Sequence, residues 1–139
     1  MEKPLLEKFR AEHARIERGL QAAESALTDA QQLSTQLTSM RAEVLSHFKA
    51  KDAFYPALAE QSAKANDAGA AQLTKIFEAN MKVQSAAVQR FYETIEATPA
   101  TNLVSSFKTV AVVIRQRFAT EERAVFPLYA RTAKALETT

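Results

Sequence analysis

The sequence predicts an all-α protein, an antiparallel up-down-up-down four-helix bundle, on the basis of three observations. Apolar residues recur at alternating steps of three and four along most of the chain, which is the spacing of one helix face. Only 2 glycines and 4 prolines occur among 139 residues, so few positions interrupt a helix. No useful length of sequence alternates with period two, as a half-buried strand does. Four long helices with short connections favour such a bundle, here as a single domain of residues 1–139.

Each predicted helix has one largely apolar face. The first face comprises Leu6, Phe9, His13, Ile16, Leu20, Ala23 and Leu27. The second comprises Leu33, Leu37, Met40, Val44, His47 and Lys51. The third comprises Leu73, Phe77, Met81, Gln84, Val88, Phe91 and Ile95. The fourth comprises Leu103, Phe107, Val110 or Ala111, Ile114, Phe118, Glu122 and Val125.

Turn-forming residues and prolines predict where these helices end. Thr28 and Asp29 mark the first break, and residues 64–71, which contain Asn, Asp and Gly, mark the second. The third helix is expected to stop before Pro99, because the residue before a proline is disfavoured in the helical region. Pro56 is expected to kink or restart the second helix, and Pro127 to interrupt the fourth.

Polar side chains interrupt these apolar faces near the middle of each helix. Buried polar groups are costly unless they are paired or hydrogen-bonded. We therefore expect the interrupting residues to meet in one shared polar layer. They are His13, His47, Lys51, Gln84 and Glu122.

The composition excludes several classes of function. The net charge is only +2 and there is no basic stripe, so we expect neither nucleic-acid nor membrane-surface binding. The absence of cysteine excludes disulfides, thiol catalysis and iron–sulfur clusters. No apolar run approaches the roughly 18 residues of a membrane span, and the N-terminus does not resemble a signal peptide. A cytoplasmic location is the default expectation.

Three segments resemble hemerythrin-like (HHE cation-binding) domains. They are residues 12–16 (EHARI), 47–56 (HFKAKDAFYP) and 118–127 (FATEERAVFP), and the resemblance covers nearly the whole chain. The family pattern has a histidine on the first helix, a histidine followed four residues later by a carboxylate on the second, and a similar set on the third and fourth. The resemblance implies a four-helix bundle with a di-iron centre that carries or senses oxygen, nitric oxide or iron.

The chain departs from this pattern at several ligand positions. His13, His47 and Glu122 match the metal ligands of the family. Lys51 stands in place of the second-helix carboxylate, and the other two substituted positions are Gln84 and Phe118. The family centre uses about five histidines, and this chain has 2.

We therefore predict that a Lys51–Glu122 ion pair takes over the structural role of the metal, so that no cofactor is bound. An ammonium repels metal ions and donates hydrogen bonds where a ligand would accept them. The alternative is an iron site, and a mononuclear site of His13, His47 and Glu122, with Glu121 or Asp52, also stays open.

The function predicted from these residues is a non-enzymatic regulatory or binding module of bacterial type, active in signal transduction through an unidentified protein partner. The second predicted kind of partner is another copy of the chain, bound through Phe54, Tyr55, Tyr92 and Tyr129. Nothing indicates an enzyme, because no nucleophile motif or phosphate-binding loop is present. The alternative functions are a metal-binding sensor or carrier and an anti-sigma-type regulator. The last rests on a resemblance of residues 47–48, 77–80 and 117–122 to the regulator-of-sigma-D family.

Overall fold

The fold is built from long helices that run back and forth along one axis. The computed structural model describes residues 2–137. Helix α1 spans Glu2–Glu24, α2 spans Ala30–Lys64 and α3 spans Ala68–Thr94, followed by a short 3₁₀ turn at Ile95–Ala97. The fourth rod consists of α4 (Ala100–Thr120), a π-helical turn (Glu121–Val125) and α5 (Phe126–Glu137). None of the described residues forms a strand, so the predicted all-α four-helix bundle is confirmed.

The helix boundaries follow from capping residues near the predicted breaks. Asp29 precedes α2, and its carboxylate accepts hydrogen bonds from the amides of Gln31 and Gln32. The carboxylate of Asp67 accepts a bond from the Ala70 amide at the start of α3. The connections between the first three helices are short, so consecutive helices lie side by side as antiparallel neighbours.

The first two helices approach closely at Gly19. A Cβ atom at this position would lie 2.6 Å from Cε and 2.8 Å from Sδ of Met40. Glycine therefore leaves the space that the Met40 side chain fills, and Met40 is buried there.

Two predictions about single residues differ from the structure. Helix α2 continues through Pro56, so the predicted restart is wrong, and the flanking Tyr55 and Leu58 are each 1% exposed. Burial of these neighbours holds the helix together where the proline removes one hydrogen bond. Leu73, assigned to the core face of the third helix, is 46% exposed, because Ala70 and Thr74 occupy the buried positions there.

The buried apolar residues form two clusters that lie towards opposite ends of the bundle. One cluster includes Ile16, Phe48 and Val88, and the other includes Phe9, Phe54 and Met81. Along α1, α2 and the fourth rod, a short stretch rich in polar residues separates the residues of one cluster from those of the other. The predicted polar layer therefore lies between two apolar halves of the core.

The length and hydropathy of the helices bear on membrane insertion. Across residues 2–137, none is both long enough and apolar enough to cross a bilayer.

Candidate functional site: a buried ion-pair layer

An ion pair between Lys51 and Glu121 forms the centre of the layer. The ammonium Nζ of Lys51 donates to Oε1 of Glu121, and both side chains are 0% exposed. Lys51 comes from α2 and Glu121 from the π turn, so the pair links the second and fourth rods of the bundle. A buried charge needs a partner and further hydrogen bonds, and the neighbouring residues supply them.

His13 on α1 accepts the second hydrogen bond of the ammonium. Its Nε2 lies 2.8 Å from Nζ of Lys51 and 3.3 Å from Oε1 of Glu121. Because an ammonium can only donate, Nε2 carries the lone pair and Nδ1 carries the proton. This Nδ1–H lies 3.2 Å from Oε1 of Glu122 and donates to it. The imidazole also stacks on the ring of Phe118, with the ring centres 3.9 Å apart.

His47 on α2 is fixed in the same tautomer. Its Nδ1 lies 2.6 Å from Oε1 of Glu12 and donates to that carboxylate. Its Nε2 is buried and has no hydrogen-bond partner. Burial and the nearby charge of Lys51 lower the pKa of His47 to about 2, so the ring is neutral. A neutral imidazole thus presents an unused lone pair inside the protein.

Arg117 and Tyr55 hold the other carboxylate oxygen of Glu121. The hydroxyl of Tyr55 donates to Oε2 at 2.7 Å, and Nε of Arg117 donates to the same atom at 3.3 Å. Arg117 is itself completely buried and reaches Oγ of Ser85 at 2.5 Å and Oδ1 of Asp52 at 3.4 Å. Its guanidinium carbon lies 4.5 Å from the centre of the Phe48 ring.

These contacts determine the ionisation of the central pair. Burial raises the pKa of Glu121, but the charges of Lys51 and Arg117 and the hydrogen bond from Lys51 outweigh burial and lower it to about 2. Burial lowers the pKa of Lys51 to about 8, against the opposing attraction of Glu121. Burial also raises the pKa of Tyr55, which therefore stays a hydroxyl donor. At neutral pH the layer contains an ammonium and a carboxylate.

The expected partner of Lys51 was Glu122, and this prediction is wrong. The side chain of Glu122 is 40% exposed and bonds to Arg10 and to the outer nitrogen of His13. A step of three after Phe118 reaches Glu121 and a step of four reaches Glu122, so helical spacing alone allows both. A π turn begins at Glu121, at the position where the structure buries Glu121 and exposes Glu122. A π turn is wider than an α turn. In a regular α-helix, the ring of Pro127 would clash with the carbonyl four residues before it.

The remaining predicted residues lie in or beside the layer. His13, His47 and Lys51 meet as expected, and Phe118 packs under both His13 and the Lys51 ammonium, 4.7 Å from its ring centre. Gln84 is only half-buried, and its Oε1 has no hydrogen-bond partner.

The aromatic residues offered for a homodimer contact are not free for one. Phe54, Tyr55 and Tyr92 are buried within the chain, and Tyr129 is half-buried. The rings of Phe54, Tyr55 and Tyr92 already pack inside the bundle, so they do not support this contact, and the homodimer itself stays a prediction.

Sequence reasoning missed the parts that four residues play in the layer. Glu12 positions His47, Arg117 and Tyr55 hold Glu121, and Glu121 itself was named only as an additional metal ligand. One available signal was the Arg117–Glu121 spacing of four residues, which allows an ion pair on one helix. Arginine is rarely buried, so the residue type of Arg117 gave no signal for its place in the layer.

The donor set does not fit the di-iron centre that the family resemblance implies. Across residues 2–137, no group of three or more His, Asp and Glu side chains is arranged to hold a metal ion. The Nε2 atom of His13 and Oε1 of Glu121, which could bind a cation, both accept from the Lys51 ammonium. The arrangement therefore already contains a positive charge between its acceptors.

The comparison with known proteins agrees with the fold. No curated protein matches the chain, and no solved structure matches it. The hemerythrin HHE cation-binding domain matches residues 5–129, which include every residue of the layer. The chain therefore belongs to the hemerythrin HHE cation-binding domain family.

Proposed function

We propose that this hemerythrin-like domain is a non-enzymatic regulatory module that works without a di-iron centre. The observation that carries the proposal is the Lys51 ammonium, bonded to both His13 Nε2 and Glu121 Oε1. Metal ligands must offer lone pairs, and here two of those lone pairs are engaged by a donor that is part of the chain.

The burial of the layer supports a non-enzymatic role. Lys51, Arg117 and Glu121 are each completely buried, and each is bonded to the others or to neighbours. A substrate would have to displace these bonds before it met a reactive group. The layer is better suited to holding four helices in one arrangement than to turnover.

An exposed face of α3 supports a role in protein contact. Its large apolar members, Leu73, Ile76 and Val83, are 46%, 49% and 72% exposed. Ile76 and Val83 alternate with the exposed alanines at positions 79 and 86, so these four residues follow steps of three, four and three. The alternating steps of three and four are those of a coiled-coil seam, which buries its apolar residues against a second helix.

A second copy of this chain is the partner that fits this seam. In an antiparallel pair related by a two-fold axis, Ile76 would lie opposite Ala86 of the partner copy, and Val83 opposite Ala79. Each branched side chain thus meets a small one, which keeps the spacing between helices uniform.

Metal analysis tests the proposal. The full-length chain, purified without chelator from cells grown with iron, manganese and zinc, is expected to contain far less than one ion per chain by plasma mass spectrometry. A related family member with all its ligands, purified in parallel, shows that the procedure retains metal. Iron, manganese or zinc close to one or two ions per chain would contradict the proposal.

One observation favours the alternative function, a metal-binding sensor or carrier. His47 keeps a buried Nε2 lone pair with no partner, and Glu12 fixes the tautomer that a metal requires. The same metal analysis separates the two functions, because a sensor would retain its ion. An absorption band of an oxo-bridged iron pair would establish the alternative.

A further inference from the structure

We infer that the Lys51 ammonium occupies a cation site between two acceptors and beside a third, and that replacing the Lys51 side chain with a small one opens this site to a divalent metal ion. The ligands are Nε2 of His13, Nε2 of His47 and Oε1 of Glu121. This inference rests on the proposed metal-free function and adds the identity of the group that excludes the metal.

Two of the acceptors already point at one place. Nε2 of His13 and Oε1 of Glu121 are 3.3 Å apart, and Lys51 Nζ donates to both. Two lone pairs that share one cation converge on the position of that cation. Without the ammonium, both would lose their donor together, and two buried acceptors would face each other without compensation.

Both of these side chains stay anchored when Lys51 is removed. Oε2 of Glu121 keeps its bonds from Tyr55 and Arg117, and Nδ1 of His13 keeps its bond to Glu122. None of these contacts involves Lys51. The acceptor geometry is therefore held by second partners and does not depend on the ammonium.

His47 supplies an independent observation that points to a ligand. It lies one helical turn before Lys51 on α2, is 2% exposed, and its Nε2 has no partner. Its ring centre is 4.9 Å from that of His13. Glu12 binds its Nδ1–H, which is the carboxylate–histidine arrangement that orients a metal-bound imidazole.

Two imidazole nitrogens and one carboxylate oxygen form a set that suits Zn²⁺, Co²⁺ or Fe²⁺, with water in the remaining positions. Lys51 prevents this in two ways. Its ammonium occupies the space between the acceptors, and its charge repels a second cation in a buried site. Across residues 2–137, no metal-binding group forms while the ammonium is in place.

Lys51→Ala tests the inference by removing the ammonium and leaving space. Lys51→Met is the matched control, since it also removes the charge but fills the space with a side chain of similar length. Each variant and the wild-type chain are titrated with Co²⁺, whose visible absorption reports the ligands and whose binding is counted by mass spectrometry. Lys51→Ala is expected to bind about one Co²⁺ per chain, as three ligands of one site imply, and the other two proteins none.

A second pair of variants keeps the test decisive if Lys51→Ala does not fold by itself. Lys51→Glu adds a fourth ligand, and its refolding from urea is expected to require Co²⁺. Lys51→Glu combined with Glu12→Ala is expected to bind Co²⁺ about 10- to 100-fold more weakly than Lys51→Glu, because His47 loses its orienting partner.

The outcomes distinguish this inference from the proposed function. If neither Lys51→Ala nor Lys51→Glu acquires a cobalt spectrum, folded or during refolding, the inference is wrong while the metal-free function stands. If Lys51→Met binds Co²⁺ as well as Lys51→Ala, occupation of the space by Lys51 is not what excludes metal, and the inference is also wrong. Near-stoichiometric metal in the wild-type chain would overturn both.

Discussion

Lys51 illustrates how one residue can reverse the chemistry of a site while the surroundings are kept. The histidines beside it have the tautomers and the carboxylate partners of metal ligands. The ammonium turns the same lone pairs into acceptors of hydrogen bonds. The buried charge is balanced by Glu121, and Arg117 and Tyr55 complete the bonds of that carboxylate.

His47 predicts how stability depends on pH. Its folded pKa is lowered from 6.5 to about 2, so below pH 6.5 the unfolded chain binds a proton that the folded chain does not. The free energy of unfolding should therefore fall as the pH falls, by about 1.2 kcal/mol between pH 6 and 5. Urea unfolding at pH 7.5, 6.5, 5.5 and 5.0 measures this.

The variant His47→Gln is the control, because glutamine can still donate to Glu12 but does not titrate. The charged and titratable neighbours of His47 are His13, Glu12, Lys51, Arg117 and Glu121. Glu121 acts in the same direction but only below pH 4.5, and Lys51 acts above pH 8. Equal pH dependence in His47→Gln and the wild type between pH 6.5 and 5 would contradict the prediction.

At the scale of the helices, the ends are set by local chemistry and the interiors by packing. Asp29 begins α2 with two side-chain hydrogen bonds, whereas Pro56 fails to end it. The difference is that a cap satisfies amides that nothing else can reach, while a proline inside a helix removes one bond among many. In the fourth rod, a π turn that contains Glu121 ends two residues before Pro127.

Asp29→Ala should therefore weaken the whole protein through the start of α2. The two amide bonds accepted by Asp29 would be lost, and the free energy of unfolding should fall by about 1 kcal/mol. Asp29→Asn is the control, since asparagine caps helices about as well and should change stability by only a few tenths. Urea unfolding at pH 7 compares the three proteins, and equal losses in both variants would show that charge, not capping, is responsible.

Across the whole molecule, a polar layer divides the core into two apolar clusters. The layer joins α1, α2 and the fourth rod through buried bonds, and Arg117 extends it to α3 through Ser85. Such a layer fixes the register of the helices, because a shift of any helix would leave a buried charge unpaired. We propose that contacts with a partner use the outer surface, where α3 carries the exposed apolar side chains of Leu73, Ile76 and Val83.

We expect this seam to make the chain associate with itself. Sedimentation should show a concentration-dependent dimer for the wild type and a monomer for Val83→Glu, which places a charge in the middle of the seam. Val112→Glu is the matched control, since Val112 is also exposed, at 54%, but lies on α4. A wild-type chain that stays monomeric at all concentrations, or a Val112→Glu variant that dissociates equally, would exclude this dimer.

Much of the fold follows from the spacing of apolar residues. The positions of the four rods and most of the core follow from it, and so does the meeting of His13, His47 and Lys51. Leu73 shows the limit, because α3 has apolar residues on two faces and only packing decides which one is buried. Within the layer, the two adjacent glutamates at 121 and 122 fit the helical spacing equally well.

The sequence by itself determined the helical class, the family and the presence of an ammonium at a ligand position, because these depend on residue type and periodicity. Only the tertiary structure decided that Glu121 faces inward, that Arg117 is buried beside it, and that His47 keeps a free nitrogen. These facts depend on the rotation of each helix about its own axis. Contacts between distant parts of the chain set that rotation, and a difference of one residue there exchanges a buried ion pair for an exposed one.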